Sequence, residues 1–269
     1  MSKTYIDLAS QINRSDSVFL KQLPRFVVRG LELLIRQDEI NRILNKFADV
    51  EGVDFLHKLK EELNIRIEYK GLENLPDSGK CFFVANHPFG FVDGLVLTHT
   101  VGSKYGTLKA IGNELFMLIP QLRPIIAAVN VFGANPKDYL RGLEQVYQSD
   151  SPITHFPAGL VSRMNKGRVE DGPWQKSFIT KAVSCQRDIV PFHFIGRNSN
   201  LFYTVYLFRK TLRIKANIEL ALFPHEIFNK RNKTIKVIIG KPIPYSTFDK
   251  SKTPAEWAQV VKASLYSLS

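Results

Sequence analysis

Apolar positions fall along this chain in two rhythms, and the change from one to the other divides it. Up to about Leu63 they recur at helical spacing, with a break near Gly52. Asn64 to Tyr69 then alternates as a strand does. Cys81-Phe82-Phe83-Val84-Ala85 follows as an unbroken β-prone run after the turn residues Pro76, Asp77 and Gly79. The same criteria place the histidine-feeding strand at 81–86 and further strands near 107–111, 126–132, 152–156, 189–195, 203–208, 216–222 and 234–239. Helices are expected over 93–101, 136–148 and 174–185, the second opened by Asn135-Pro136, and Pro254 to Leu268 closes the chain as an amphipathic helix. Strands alternating with helices through the middle predict an α/β fold. A central, mostly parallel or mixed sheet is flanked by helices, with antiparallel pairs added late. The expected division is a helical region over 1–64 and a catalytic domain over 65–269.

Composition leaves that picture intact. The 269 residues suffice for one substantial core, and 44% hydrophobic with 23% charged residues is ordinary for a globular chain. Cys81 and Cys185 have no paired spacing and read as reduced thiols. Met1 to Asp7 lacks the apolar stretch of a secretory leader. Phe116 to Val129 is interrupted by Pro120, Gln121, Arg123 and Pro124, so it cannot span a bilayer.

Charge adds a partner. The formal net charge is +12, and a strong positive balance attracts anionic surfaces. Lys21, Arg25, Arg29 and Arg36 interleave with Phe19, Leu20, Leu23, Phe26, Val27, Leu31, Leu33 and Leu34. Despite Pro24, this 17–36 segment reads as a basic amphipathic helix lying in the interface of an anionic membrane. Nucleic acid is a poor alternative, because no zinc finger, RNA-binding aromatic motif or recognition helix accompanies the charge.

The chemistry is concentrated in Asn86-His87-Pro88-Phe89-Gly90-Phe91-Val92-Asp93-Gly94. His87 sits where the strand ends, Pro88 stops the ladder, and Gly90 lets the backbone turn. Asp93 opens the next segment as its expected helix N-cap. A carboxylate that accepts the Nδ1 proton of a histidine leaves Nε2 free to act as a general base. His87, Asp93 and His99 recur every six residues, a spacing that matches neither the one-turn histidine pair of zinc peptidases nor a Cys/His finger.

Thr154-His155-Phe156-Pro157-Ala158-Gly159-Leu160-Val161-Ser162-Arg163 follows another short β-prone run. Together the two motifs resemble the glycerolipid acyltransferase family, which includes bacterial lysophosphatidic acid acyltransferases. They are closest to its hemolysin-like branch of ornithine and glycine lipid acyltransferases. Ile189-Val190-Pro191-Phe192-His193-Phe194-Ile195-Gly196 resembles the family's late proline-containing strand, so the likeness runs over roughly residues 65 to 245. Five residues separate His87 from Asp93, against four in the wider family. Ala158 stands where the wider family has a glutamate associated with binding glycerol phosphate.

The resemblance implies direct acyl transfer from a thioester, of acyl carrier protein or coenzyme A, to the hydroxyl of a lyso-lipid, with no metal or resident cofactor. His87 and Asp93 are its catalytic residues. Asn86, Phe156, Pro157, Gly159, Ser162, Arg163, Lys166 and Arg168 are its substrate-binding candidates. Arg163 is the candidate anion clamp, because a guanidinium grips carboxylate or phosphate through two parallel bonds. His155 and His193 read as strand residues. With Ala158 in place of the glutamate, the expected acceptor is a monoacylated amino-acid lipid, with lysophosphatidic acid as the alternative. The expected location is peripheral, at the cytoplasmic face of the inner membrane. Two other classes stay open: a hydrolase, which lacks a Gly-x-Ser-x-Gly elbow here, and a non-catalytic, hemolysin-like lipid-binding protein.

Overall fold

A computed structural model describes residues 3–14, 21–129, 137–165, 167–213 and 217–268. The described residues open with helices α1 (Leu8–Arg14), α2 (Arg25–Leu34), α3 (Gln37–Lys46) and α4 (Gly52–Glu62), followed by strands β1 (Arg66–Lys70) and β2 (Cys81–Ala85). Next come α5 (Phe91–Tyr105), β3 (Lys109–Asn113), β4 (Ile126–Val129), α6 (Lys137–Gln148) and β5 (Ile153–His155). A small hairpin, β6 (Arg163–Asn165) and β7 (Arg168–Glu170), leads to α7 (Ser177–Ser184) and β8 (Asp188–Ile195). The chain finishes with α8 (Asn200–Thr211), α9 (Phe223–Asn229), β9 (Thr234–Ile239) and α10 (Pro254–Tyr266).

Seven strands form one sheet in the order β1-β9-β8-β2-β5-β3-β4. From β8 to β4 every pairing is parallel, while β9 runs antiparallel to β8 and parallel to β1. The expected α/β architecture, parallel with late antiparallel additions, is the one observed. All five β2 residues are buried, as a strand covered on both faces requires. Phe83 and Ala85 face a core that also contains Ile43 and Leu44 of α3, Phe55, Leu56 and Leu59 of α4, and Leu95, Val96 and Val101 of α5. Phe82 and Val84 face the opposite core, closed by Phe178 and Ile179 of α7 and Ala258, Val261 and Leu265 of α10. Those two cores hold β2 in the middle of a three-layer sandwich.

Several expected elements differ. The run 203–208, rich in β-branched and aromatic residues, is the middle of helix α8. Ser199 caps it by accepting the Phe202 N–H at 3.2 Å, and burial of Phe202 and Tyr203 against Val161 and Leu222 outweighs the strand propensity. Residues 218–222, also expected in a strand, form a short 3₁₀ turn leading into α9. Pro24 interrupts the expected 17–36 helix, because it lacks an N–H and disfavours helical backbone in the residue before it. Helix α2 starts afresh at Arg25. Residues 15–20, 130–132 and the Asn135-Pro136 helix start lie outside the described residues. The β6–β7 hairpin was not anticipated. It turns through Gly167, whose φ of +80° is left-handed.

Candidate active site

The two motifs meet because their strands are parallel neighbours. Phe82, Phe83 and Val84 of β2 lie opposite Ile153, Thr154 and His155 of β5. The two chains therefore leave the sheet side by side at its carboxyl edge, where open α/β sheets bind ligands. One residue beyond β5, the Phe156 ring stacks on the His87 imidazole, with centroids 4.0 Å apart and planes 25° apart. The second backbone is tied to the first where the Ser162 N–H donates to the His87 carbonyl at 2.8 Å.

Asp93 does not cap α5; that expectation is corrected. The helix starts at Phe91 with Gly90 as its N-cap, and Gly90 has φ +79°. A side chain at Gly90 would also press on the Phe223 ring, its Cβ 3.0 Å away. Asp93 lies within the first turn, where its Oδ2 reaches back to accept the Phe89 N–H at 2.9 Å. This bond folds the carboxylate under the turn. Its Oδ1 then lies 3.1 Å from His87 Nδ1, with Asp93 fully buried and His87 partly exposed. The contact has the distance of a charged pair without the alignment of a full hydrogen bond. Catalytic bonds commonly tighten only when substrate is present.

A carboxylate that sequence reading missed organises the site. Asp171, almost fully buried, accepts the His87 backbone N–H at 3.1 Å, the Ser162 hydroxyl at 2.6 Å and the Trp174 indole N–H at 2.9 Å. Burial raises its pKa, and those three bonds oppose the rise by favouring the charged form. The Asp171 N–H in turn donates to the Tyr266 hydroxyl of α10 at 2.9 Å, and burial beside Asp171 raises the Tyr266 pKa. One carboxylate thus joins both motifs to the C-terminal helix. The only local signal was Asp171 opening Gly172-Pro173-Trp174, a pattern that by itself reads as a turn.

The remaining candidates fall into three groups. Asn86 is buried, and its amide exchanges two hydrogen bonds with the backbone of Phe194 in β8, at 2.9 and 2.7 Å. Its neighbour Phe89 packs on Gly196, where an added Cβ would lie 2.4 Å from the ring. Pro157 accepts the Gln175 N–H at 2.9 Å, Gly159 is left-handed with open space around it, and the single hydroxyl proton of Ser162 goes to Asp171. Arg163 is placed at the site's edge: Nη2 pairs with fully buried Glu219 at 3.0 Å, and Nη1 donates to the Val161 carbonyl at 2.6 Å. Its guanidinium lies over Phe202 and Tyr206, 5.4 Å from each centroid. Arg209 holds the other Glu219 oxygen at 2.8 Å. Arg168 is exposed on β7, and Lys166 lies outside the described residues.

The other histidines stand apart. His155 and His193 are strand residues, as expected, and His99 packs edge-on against His57, with centroids 4.5 Å apart. No cluster of three metal-binding side chains occurs among the described residues. Behind Phe89 a cavity of about 400 Å³ is lined by Arg197, Lys230 and Lys233. Lys230 lies over the Phe89 ring at 4.7 Å, and burial lowers its pKa.

The structure thus sets a histidine and a buried carboxylate side by side just past the carboxyl end of β2, in an α/β fold whose neighbouring strand β5 brings the second motif against them. Comparison with known proteins makes this specific: residues 11–269 match the acyltransferase family, and the chain belongs to it. The chain is 43% identical to a lyso-glycine lipid O-acyltransferase of Phocaeicola vulgatus, over 98% of this chain and 95% of that one. It is 45% identical to a lyso-glycine lipid O-acyltransferase of Bacteroides thetaiotaomicron, over 92% of each. Among solved structures, the 1-acyl-sn-glycerophosphate acyltransferase PlsC of Thermotoga maritima aligns with a TM-score of 0.47 at 15% identity, covering 88% of this chain and 93% of that one. Family membership and the two lyso-glycine lipid O-acyltransferase relatives make the chain an acyltransferase. No helix among the described residues is long and apolar enough to cross a membrane.

Proposed function

We propose that this acyltransferase moves a fatty acyl chain from a thioester to the hydroxyl of a lyso-glycine lipid, completing a diacylated membrane lipid. The observation that carries the reaction is the 3.1 Å approach of Asp93 to His87 Nδ1, which leaves Nε2 for chemistry. His87 Nε2 takes the acceptor hydroxyl proton as the oxygen attacks the thioester carbonyl. Asp93 stabilises the imidazolium that forms. Collapse of the tetrahedral intermediate breaks the C–S bond, and the imidazolium returns its proton to the departing thiolate. Phe156 and Asp171 hold the imidazole and its backbone in place.

Two features support the acceptor. Both curated relatives carry that substrate in their names, and Ala158 removes the glutamate that the wider family places beside glycerol phosphate. A glycine-lipid carboxylate suits Arg163, which must then share its guanidinium with Glu219. The donor, acyl carrier protein or coenzyme A, presents a phosphorylated pantetheine arm, and the cationic lining behind Phe89 suits such an arm. The enzyme works peripherally at the cytoplasmic face of the inner membrane. There the exposed Arg25 and Arg29 of α2 face anionic lipid, alongside Phe26, which is 77% exposed.

Purified protein incubated with acyl-carrier-protein or coenzyme A thioesters and a panel of lyso-lipids, with products identified by mass spectrometry, tests the whole reading. Diacylated glycine lipid is the expected product. Efficient use of lysophosphatidic acid with no use of lyso-glycine or lyso-ornithine lipid would reverse the acceptor assignment and leave acyl transfer standing.

A further inference from the structure

Helix α8 is apolar on both sides. Inward, Phe202 and Tyr203 are buried in a small cluster with Val161 and Leu222, and Phe202 stacks on Phe223 with centroids 5.8 Å apart. Outward, Leu201 is 44% exposed, Leu207 47%, Phe208 60% and, just past the helix end, Leu212 54%. From Leu201 to Phe208 the helix carries no charged residue, and the exposed polar side chains beside the outward apolar ones are the small, uncharged Asn200, Thr204 and Thr211. A helix apolar all round is stable only when something covers both faces. Protein covers one. The charge begins where the apolar stretch ends, with exposed Lys210 and Arg213 at the C-terminal end.

We infer that the outward face of α8 is a second membrane-docking surface, inserted among the acyl chains of an anionic bilayer beside the mouth of the active site. This rests on the lipid-acceptor reading above. An apolar helix body with cations at one end fits a lipid interface, where the body enters the hydrocarbon boundary and Lys210 and Arg213 meet headgroups. It fits a second copy of this chain less well, because that contact would bring two basic fringes together on a protein of net charge +12. The placement also links docking to the site. Arg163 lies over Phe202 and Tyr206 of α8, and Glu219 bridges Arg163 to Arg209 of the same helix. Leu34, the last residue of α2, packs on the same cluster, so both candidate interfacial helices converge on the loop that follows Phe156. A lyso-lipid leaving the bilayer over α8 arrives at Arg163 first and then at His87.

The test uses the full chain with vesicles of phosphatidylcholine and phosphatidylglycerol and no substrate, so its result is independent of the acyl-transfer reading. Changing Leu201→Glu, Phe208→Glu and Leu212→Glu together alters exposed positions only, and circular dichroism checks that the fold is kept. Vesicle binding is expected to weaken by roughly a hundredfold. In parallel, Phe208→Cys is labelled with an environment-sensitive fluorophore, which is selective because Cys81 and Cys185 are buried. Its emission should shift to the blue on vesicles, while a label at Ser251→Cys should not shift. Unchanged binding by the triple variant, or a label at 208 indifferent to vesicles, overturns the inference. So does a concentration-dependent blue shift without lipid accompanied by dimerisation in light scattering, which would assign the face to a second copy.

Discussion

The turn that follows β2 and the loop that follows β5 leave the sheet as neighbours, yet they treat their polar atoms in opposite ways. The β2 turn buries Asp93 completely and keeps one imidazole edge open. In the β5 loop the hydroxyl of Ser162 is bound to Asp171, Arg163 is paired with Glu219, and the Phe156 ring lies flat on His87. The first motif therefore leaves an imidazole partly exposed beside a buried carboxylate, and the second packs on that imidazole and engages its own polar side chains within the protein. Two motifs that look alike in sequence differ, in three dimensions, in how far their polar groups are already satisfied by the protein.

That contrast can be broken most directly at His87. His87→Ala should lower kcat by about 10²–10⁴-fold in a protein that still folds, the structural loss being confined to the stacking on Phe156 and the contact with Asp93. Near-normal turnover in the purified variant would remove the mechanism. Asp93→Asn sharpens the same point. The amide oxygen still accepts from Phe89 N–H, so the turn survives, but the charge opposing the imidazolium is gone, and a kcat loss of about 10²-fold is expected.

On the supporting side the effects should be smaller and of a different kind. Asp171→Asn cannot accept from all three of its present donors, and misplacing the His87 backbone should lower kcat about tenfold while KM holds. A change confined to stability, with kcat intact well below the melting temperature, would make Asp171 purely structural. Arg163→Lys keeps a charge for Glu219 but loses the planar fork. If Arg163 grips the acceptor carboxylate, KM should rise by roughly three- to tenfold with kcat maintained. An unchanged KM would assign Arg163 to the scaffold alone.

The smallest effect is on pH. Burial lowers the pKa of His155, on β5 directly before the second loop, from 6.5 to about 4, and that of His99 likewise to about 4. Between these values the unfolded chain binds protons that the folded imidazoles refuse. Stability should therefore fall as pH drops from 6.5 towards 4, and stay level with respect to these groups above 6.5. Denaturant unfolding across that window checks the sign, and His155→Gln should flatten the slope.

By itself, the sequence determined whatever depends on near neighbours. The buried run at 81–85, the histidine and carboxylate across one tight turn, and the strand–helix alternation all follow from hydrophobic period and turn chemistry, which act over a few residues. The acyltransferase resemblance rested on two such local stretches. Tertiary structure decided what long-range burial controls. Ser199 and the packing of Phe202 made a helix of a β-prone segment, because burying two aromatic rings outweighs local propensity. Asp171 became the link between the motifs only once strand order set β5 beside β2 and α10 closed over the loop. Glu219, 56 residues from Arg163 along the chain, could be recognised as its partner only when the fold had buried the carboxylate beside the guanidinium.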